Sequence, residues 1–404
     1  MQNGAFTVPQ RPGLGVDPDF TRIKSFKAER ILGAYLNAAR PGWFWTEPAY
    51  CVSEVPRYFG HRSSFKQQGR FILTTPSLIA LDWGTSNLRA SLLDGLGDAL
   101  ETRSAPGGVM AVKNSQFSAA LLALCGDWIT QFNCPLIASG MIGSRQGWKE
   151  APYLECPATI AQAATQLTTV AIDANDHGKP LHQLHIAAGL KCVDEGGQFD
   201  VMRGEEIQIW GAGLPAQSCC VLPGTHSKWA WLGNGGEVSH FRTFMTGELY
   251  GLLTQHGILG RLMDFETAKN AFHKDEFAAG VRLGLRGHSQ MSHTIFAART
   301  AGLMGRVAPA GLPDYLSGIL IGIEIGGATL DAKPAGGVTL IGDDALCVRY
   351  ETALEVAGIS ARRAPEGTTS RGQWLIAVAA GLVRPATLPF HTSGSEPVRW
   401  LSDT

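Results

Sequence analysis

The chain has 404 residues, 45% of them apolar and 17% charged, with a formal net charge of -1. That length suits two domains with a sizeable core and excludes wholesale disorder. The near-neutral charge argues against nucleic acid as the main partner, and no run approaches the ~20 uninterrupted apolar residues of a membrane helix.

The start, "MQNGAFTVPQRPG", lacks the charged, apolar and small-residue regions of a secretory signal. Cys51, Cys125, Cys134, Cys156, Cys192, Cys219, Cys220 and Cys347 form no C-x-x-C pair. They are expected as free thiols, so the expected compartment is the reducing cytoplasm, and no membrane partner is expected. Residues 1–74 stand apart: up to residue 70 they hold ten Lys/Arg against five Asp/Glu, with no clean helical or alternating period. An accessory domain, a partner-binding arm and upstream sequence from a misassigned start compete, and the last is preferred because orderly patterning begins near Leu73.

From residue 76 the chain alternates strands and helices. "SLIALD", "NLRASLLD" and "DALETRSAP" read as three strands joined by short Gly/Asp turns. "SQFSAALLALCGDWITQF" has helical spacing, "CPLIASGM" returns as a strand, and "IGSRQGWKEAPY" is a loop. A variable stretch leads to the helix "EEIQIWGAG". "CCVLPGTHSKWAWL" then repeats the opening gesture, an apolar strand, a Gly-Thr turn and a second strand, followed by a "GNGG" hairpin and the strand "HFRTFMT". Helices are expected over 248–259, about 293–306, "PDYLSGILIGIEIGGA", "LCVRYETALEVAG" and "QWLIAVAAGLV", with "VTLIG" a strand among them. The class is α/β in two lobes.

A tight Gly-Thr-Ser turn after a strand points backbone N–H groups and hydroxyls at one place, which suits phosphate oxygens. Asp82 at the strand end could hold Mg²⁺, which accepts one or two carboxylates and keeps several waters. Asp82, Gly84, Thr85 and Ser86 are therefore one candidate phosphate wall. Gly224, Thr225, His226 and Ser227 are the second, with Lys228 opposing phosphate charge. The plain alternative for Asp82 is a turn cap. No G-x-x-x-x-G-K-[ST] occurs, which excludes a Walker-type site, and no partner at ligand spacing supports zinc at His226.

Residues 76–385 resemble the 2-dehydro-3-deoxygalactonokinases, sugar-acid kinases of the actin/hexokinase/Hsp70 ATPase class. The resemblance rests on "IALDWGTSNLRA", "SGMIGSRQGWKEAPY", "RGEEIQIWGA", "LPGTHSKW", "TFMTGELY" and "LIGDDALCVRY". It implies two ribonuclease-H-like lobes closing over ATP, and phosphorylation of the 6-hydroxyl of 2-keto-3-deoxygalactonate in galactonate catabolism. Pro223, before Gly224, departs from the Asp that many of the wider superfamily carry there. The implied division is an extension at 1–74, a first lobe at 75–215 with the sugar-acid site, a second at 216–388 with the adenosine site, and a tail at 389–404.

The candidate base is Glu205, with Glu206 in reserve, although two acids also simply suit a helix N-terminus. The substrate carboxylate calls for an arginine fork, Arg145 or Arg203. Trp148, Glu150 and Tyr153 form a polar-aromatic cluster suited to a sugar, and Ser139 and Gly140 could bring backbone against it. Adenine is expected at Gly342, in preference to Gly326–Ala328, with Arg349 or Tyr350 beside it. A phosphatase on the same lobes and a kinase of another sugar acid are the rival functions, and a homodimer is left open.

Overall fold

The computed structural model describes residues 75–385, apart from 113–114, 173–181, 195 and 270, together with the backbone of four two-residue strands nearer the N-terminus. Those four strands apart, the extension expected at 1–74 lies outside the described residues, as does the tail at 389–404. The chain divides into Met1–Thr75 and Pro76–Thr404. In the first unit Ala34–Tyr35 pairs antiparallel with Phe44–Trp45, and Lys66–Gln67 with Arg70–Phe71.

The second unit opens with a three-strand meander, β1 (Pro76–Trp83), β2 (Asn87–Asp94) and β3 (Ala99–Pro106). Helix α1 (Phe117–Phe132) follows, then β4 (Leu136–Ser139), parallel to β1. The stretch left uncommitted by sequence supplies β5 (Tyr153–Glu155), α2 (Ile160–Thr165), β6 (Thr168–Ile172), β7 (His182–Ile186), β8 (Gly189–Val193) and β9 (Phe199–Met202). Strands β7 and β6 extend the main sheet to the order β6-β7-β4-β1-β2-β3, while β9-β8-β5 form a small separate sheet.

Helix α3 (Glu205–Ala212) leads into the second lobe, where the meander recurs as β10 (Cys219–Leu222), β11 (Ser227–Leu232) and β12 (Val238–Phe244). The major helices here are α4 (Thr246–Gln255), α5 (Lys274–Gly287) and α6 (Leu312–Ala328). Then come β13 (Val338–Leu340), α7 (Asp344–Val356), β14 (Ala361–Arg363) and α8 (Thr368–Ala379). The sheet order is β12-β11-β10-β13-β14, with β13 and β14 parallel to β10. In both lobes the meander's first strand lies beside a parallel strand, which is the ribonuclease-H-like order. Helix α5 has no counterpart among the helices expected from sequence, and the helix expected near 293–306 breaks into Met291–Thr294 and Ala297–Leu303.

Strand alternation explains how one strand serves two cores. Ile79, Leu81 and Trp83 face α1, with Leu121, Cys125 and Trp128, while Leu78 and Ala80 join a core shared with Ile207 of α3 and Trp374 and Ile376 of α8. The Cys219–Cys220 doublet splits the same way: Cys220 enters that shared core and Cys219 the core beneath α5, α6 and α7. Helices α3 and α8 are thus held between the two sheets. They approach to backbone contact, since a Cβ on Gly211 would lie 1.8 Å from the Thr368 carbonyl and one on Gly372 1.9 Å from that of Ile207. Although it follows the second lobe in the chain, α8 packs on α3, β1 and β4 of the first.

Candidate active site

The first turn is built at the end of β1. The Gly84 amide donates to the Asn87 carbonyl, closing the hairpin. The carbonyls of Gly84, Thr85 and Ser86 are taken by the amides of Val109, Met110 and Gly108. Gly108 packs so close that a Cβ there would lie 2.3 Å from the Ser86 nitrogen. With its carbonyls satisfied on one side, the turn leaves the Thr85 and Ser86 amides without a protein acceptor among the described residues. Asp82, Gly84, Thr85, Ser86, Arg89 and Ser104 line a cavity of about 580 Å³. Burial raises the Asp82 carboxyl above the ordinary carboxylate range, partly opposed by the positive charge of Arg89. A hard-oxygen donor in that setting suits a hard divalent cation.

Two glycines join this turn to α3. Gly140 follows β4 at φ 91° and Gly204 precedes α3 at φ 106°, a region that side chains disfavour. A Cβ on Gly140 would lie 2.9 Å from the Trp83 carbonyl, and one on Gly204 3.2 Å from the Gly140 Cα. Only bare backbone lets the ends of β1, β4 and β9 meet here. Beneath them the buried Gln373 of α8 donates to the Leu81 carbonyl at 2.6 Å and to Ser139 Oγ at 2.8 Å. Ser139 therefore faces inward, and a Cβ on Gly140 would lie 3.7 Å from Asp82 Oδ1.

The two acids of α3 part company. Glu206 is 1% exposed, and both its oxygens accept from the Gly204 amide at 2.8 Å. Burial, with Glu205 beside it, pushes its carboxyl up to about 8. Glu206 thus holds the Gly204 backbone at the start of the helix, and its burial keeps it from a substrate. Glu205 keeps 28% of its side chain exposed; Oε2 accepts from the Arg203 amide at 2.9 Å and Oε1 lies 3.3 Å from Lys228 Nζ.

Lys228 carries the contact into the second turn, where Nζ also donates to the His226 carbonyl at 3.0 Å. Thr225 and His226 are exposed, the Glu248 amide donates to the Thr225 carbonyl, and the Glu248 carboxylate hydrogen-bonds His226. Ser227 differs from its expected role: it is fully buried, and its hydroxyl donates to Glu324 at 2.7 Å, so it supports the turn from below. Gly342 lies against Pro223, which a Cβ would meet at 3.5 Å, so the end of β13 flanks the second turn. Gly326 lies inside α6, where a Cβ would press on His288 at 2.8 Å. Tyr350 and Arg349 turn away from Gly342: Tyr350 is buried with its hydroxyl on Glu324, and Arg349 pairs with Asp314 at 2.5 Å.

The two candidate arginines differ as sharply. Arg145 is 85% exposed, and its Nε donates to Glu150 Oε1 at 3.1 Å. Arg203 is 9% exposed, lies 4.2 Å over the Tyr153 ring, and donates through Nη2 to the Ala151 carbonyl at 2.8 Å. Its Nε and Nη1 are buried without a hydrogen-bond partner among the described residues. A buried guanidinium with unmet donors is costly. Trp148 departs from its expected place as a sugar shelf, since its ring stacks on Phe117 at 6.1 Å and meets Trp83 edge-on at 6.5 Å. Gln373, Glu248 and Glu324 were missed by sequence reasoning, although Glu324 stands out as a charged residue in the apolar run 318–328.

A family model described as 2-keto-3-deoxy-galactonokinase matches residues 82–376. The 2-dehydro-3-deoxygalactonokinase of Escherichia coli (strain K12) is 34% identical over 285 residues, covering 70% of this chain and 91% of that protein. A Rhizobium meliloti (strain 1021) protein, provisionally given the same name, is 35% identical over 287 residues, covering 70% and 90%. A solved structure from Sinorhizobium meliloti, provisionally assigned the same activity, superimposes with a TM-score of 0.65 at 33% identity, covering 75% of this chain and 98% of that one. By match length and identity, the chain belongs to the 2-keto-3-deoxy-galactonokinase family.

Proposed function

We propose that the chain transfers the terminal phosphoryl group of ATP to the 6-hydroxyl of 2-dehydro-3-deoxy-D-galactonate, giving the 6-phosphate and ADP in galactonate catabolism. The observation that carries the site assignment is the Glu205–Lys228 pair, which links α3 to the second turn while Gly204 touches the Gly140 end of the first. One carboxylate thereby stands between the two candidate phosphate turns.

In this reading the amides of Thr85 and Ser86 and the turn Gly224–His226 hold phosphate oxygens, and Lys228 neutralises their charge. Asp82 would hold Mg²⁺, which when bound neutralises charge on the phosphates. Glu205 accepts the proton of the 6-hydroxyl as the new O–P bond forms and the bond to the ADP oxygen breaks. Arg203, whose guanidinium lies over the Tyr153 ring, supplies positive charge for the substrate carboxylate. Gly342 offers bare backbone to adenine. No described helix is long and apolar enough to cross a membrane, and we place the enzyme in the cytoplasm, where its phosphate donor is.

The test is ADP release in a coupled assay with a panel of epimeric 2-keto-3-deoxy sugar acids. Release that depends on the sugar acid and is fastest with the galactonate-derived substrate is expected. Equal release without any sugar acid would overturn the proposal in favour of a hydrolase.

A further inference from the structure

We infer that Glu324 is a positioning residue for phosphate binding: from inside α6 it locks the two elements that clasp the second turn. This rests on the reading of that turn as a phosphate site. Glu324 is 1% exposed and stands in an otherwise apolar stretch of the helix. Four donors from three elements converge on its carboxylate. Oε1 accepts from Ser227 Oγ at 2.7 Å and Trp229 Nε1 at 2.8 Å, and Oε2 accepts from Tyr350 OH at 2.7 Å and from Thr246 Oγ1.

An ionised carboxylate accepts only, with about four lone-pair sites, so this donor set fits it without conflict. Enclosing a carboxylate with no cation against it is costly, and an apolar side chain would fill the space more cheaply. What the carboxylate adds is direction. Ser227 opens β11 immediately after the turn, and Thr246 opens α4. Helix α4 seats directly on the turn: a Cβ on Gly247 would lie 2.5 Å from the Gly224 carbonyl, and the Glu248 amide donates to the Thr225 carbonyl at 3.0 Å. Glu324 thus holds both jaws of the clasp around Gly224–His226, while Tyr350 ties it to α7.

Glu324→Gln keeps the volume but offers one acceptor oxygen to donors that include the non-rotatable Trp229 N–H. ATP affinity, measured by calorimetry without sugar acid, is expected to weaken about tenfold through displacement of the turn, with the sugar-acid KM within twofold of wild type. If that variant does not fold, Thr246→Val and Tyr350→Phe, each removing one donor, decide; both should weaken ATP about threefold and leave the sugar-acid KM in place. A lower kcat with unchanged ATP affinity in the folded variants means a merely structural Glu324 and overturns the inference. Gly224→Asp, which points a carboxylate into open space above the turn, separates the two levels. If it weakens ATP while the Glu324 set does not, this inference alone fails; if it leaves ATP binding intact, the phosphate reading of the turn fails and takes the inference with it.

Discussion

Neighbouring residues of one type receive opposite environments in this site. Glu205 is half-buried beside a lysine, whereas Glu206 is enclosed on a backbone amide. Glu205→Gln should therefore lower kcat by roughly 10²–10⁴-fold with ATP affinity retained, the signature of a lost general base; steady-state kinetics with calorimetry checks this. Glu206 makes a different prediction. Its folded carboxyl is raised to about 8 from 4.5, so between those values the folded state holds a proton that the unfolded state has released. Stability from this group is fully present below about pH 4.5 and lost as pH rises towards 8. Glu206→Gln should flatten that decline in denaturant midpoints, and a wild-type decline that persists unchanged in the variant would refute it. Arg203→Ala should raise the sugar-acid KM about tenfold or more, as for the loss of a hydrogen-bonded charged partner, while Arg145→Ala stays within twofold; KM values for both substrates measure the contrast.

At the scale of elements, the positions of Asp82 and Glu205 depend on a helix that reads from sequence as a plain apolar terminus. Gln373 lies 292 residues from Leu81, whose carbonyl it holds. Gln373→Leu leaves that carbonyl and the Ser139 hydroxyl without this donor, an expected loss of about 1–3 kcal/mol in denaturant unfolding. Kcat should fall more than either KM, because the strand end carrying Asp82 loses its support. The strands and turns themselves were legible: "SLIALD" and "CCVL" are apolar runs ended by Gly-Thr turns, and local chemistry suffices to place them. The small sheet β9-β8-β5 was not legible, because its strands are only three to five residues long and pair across a helix and two other strands. Helix α5 was missed for a related reason: three of its fourteen residues are glycines, and two of them, Gly280 and Gly284, pack α6 backbone to backbone.

For the molecule as a whole, the family match at 82–376 falls inside the unit Pro76–Thr404. A chain lacking residues 1–74 is therefore expected to fold and to keep kcat within about twofold, since every residue given a role here is in that unit; an insoluble or inactive product would tie the extension to the enzyme. The sequence alone determined two strand-turn units, because strand periodicity and turn chemistry are carried by residues adjacent in the chain, and its quoted motifs carried the resemblance to the family. Only the tertiary structure separated the half-buried Glu205 from the enclosed Glu206 and the exposed Arg145 from the buried Arg203, turned Ser227 and Trp148 inward, and revealed the partners of Gln373 and Glu324. Those choices depend on which side chains burial leaves with an unmet hydrogen bond, and the partners that meet or fail to meet it come from elements far apart in the chain.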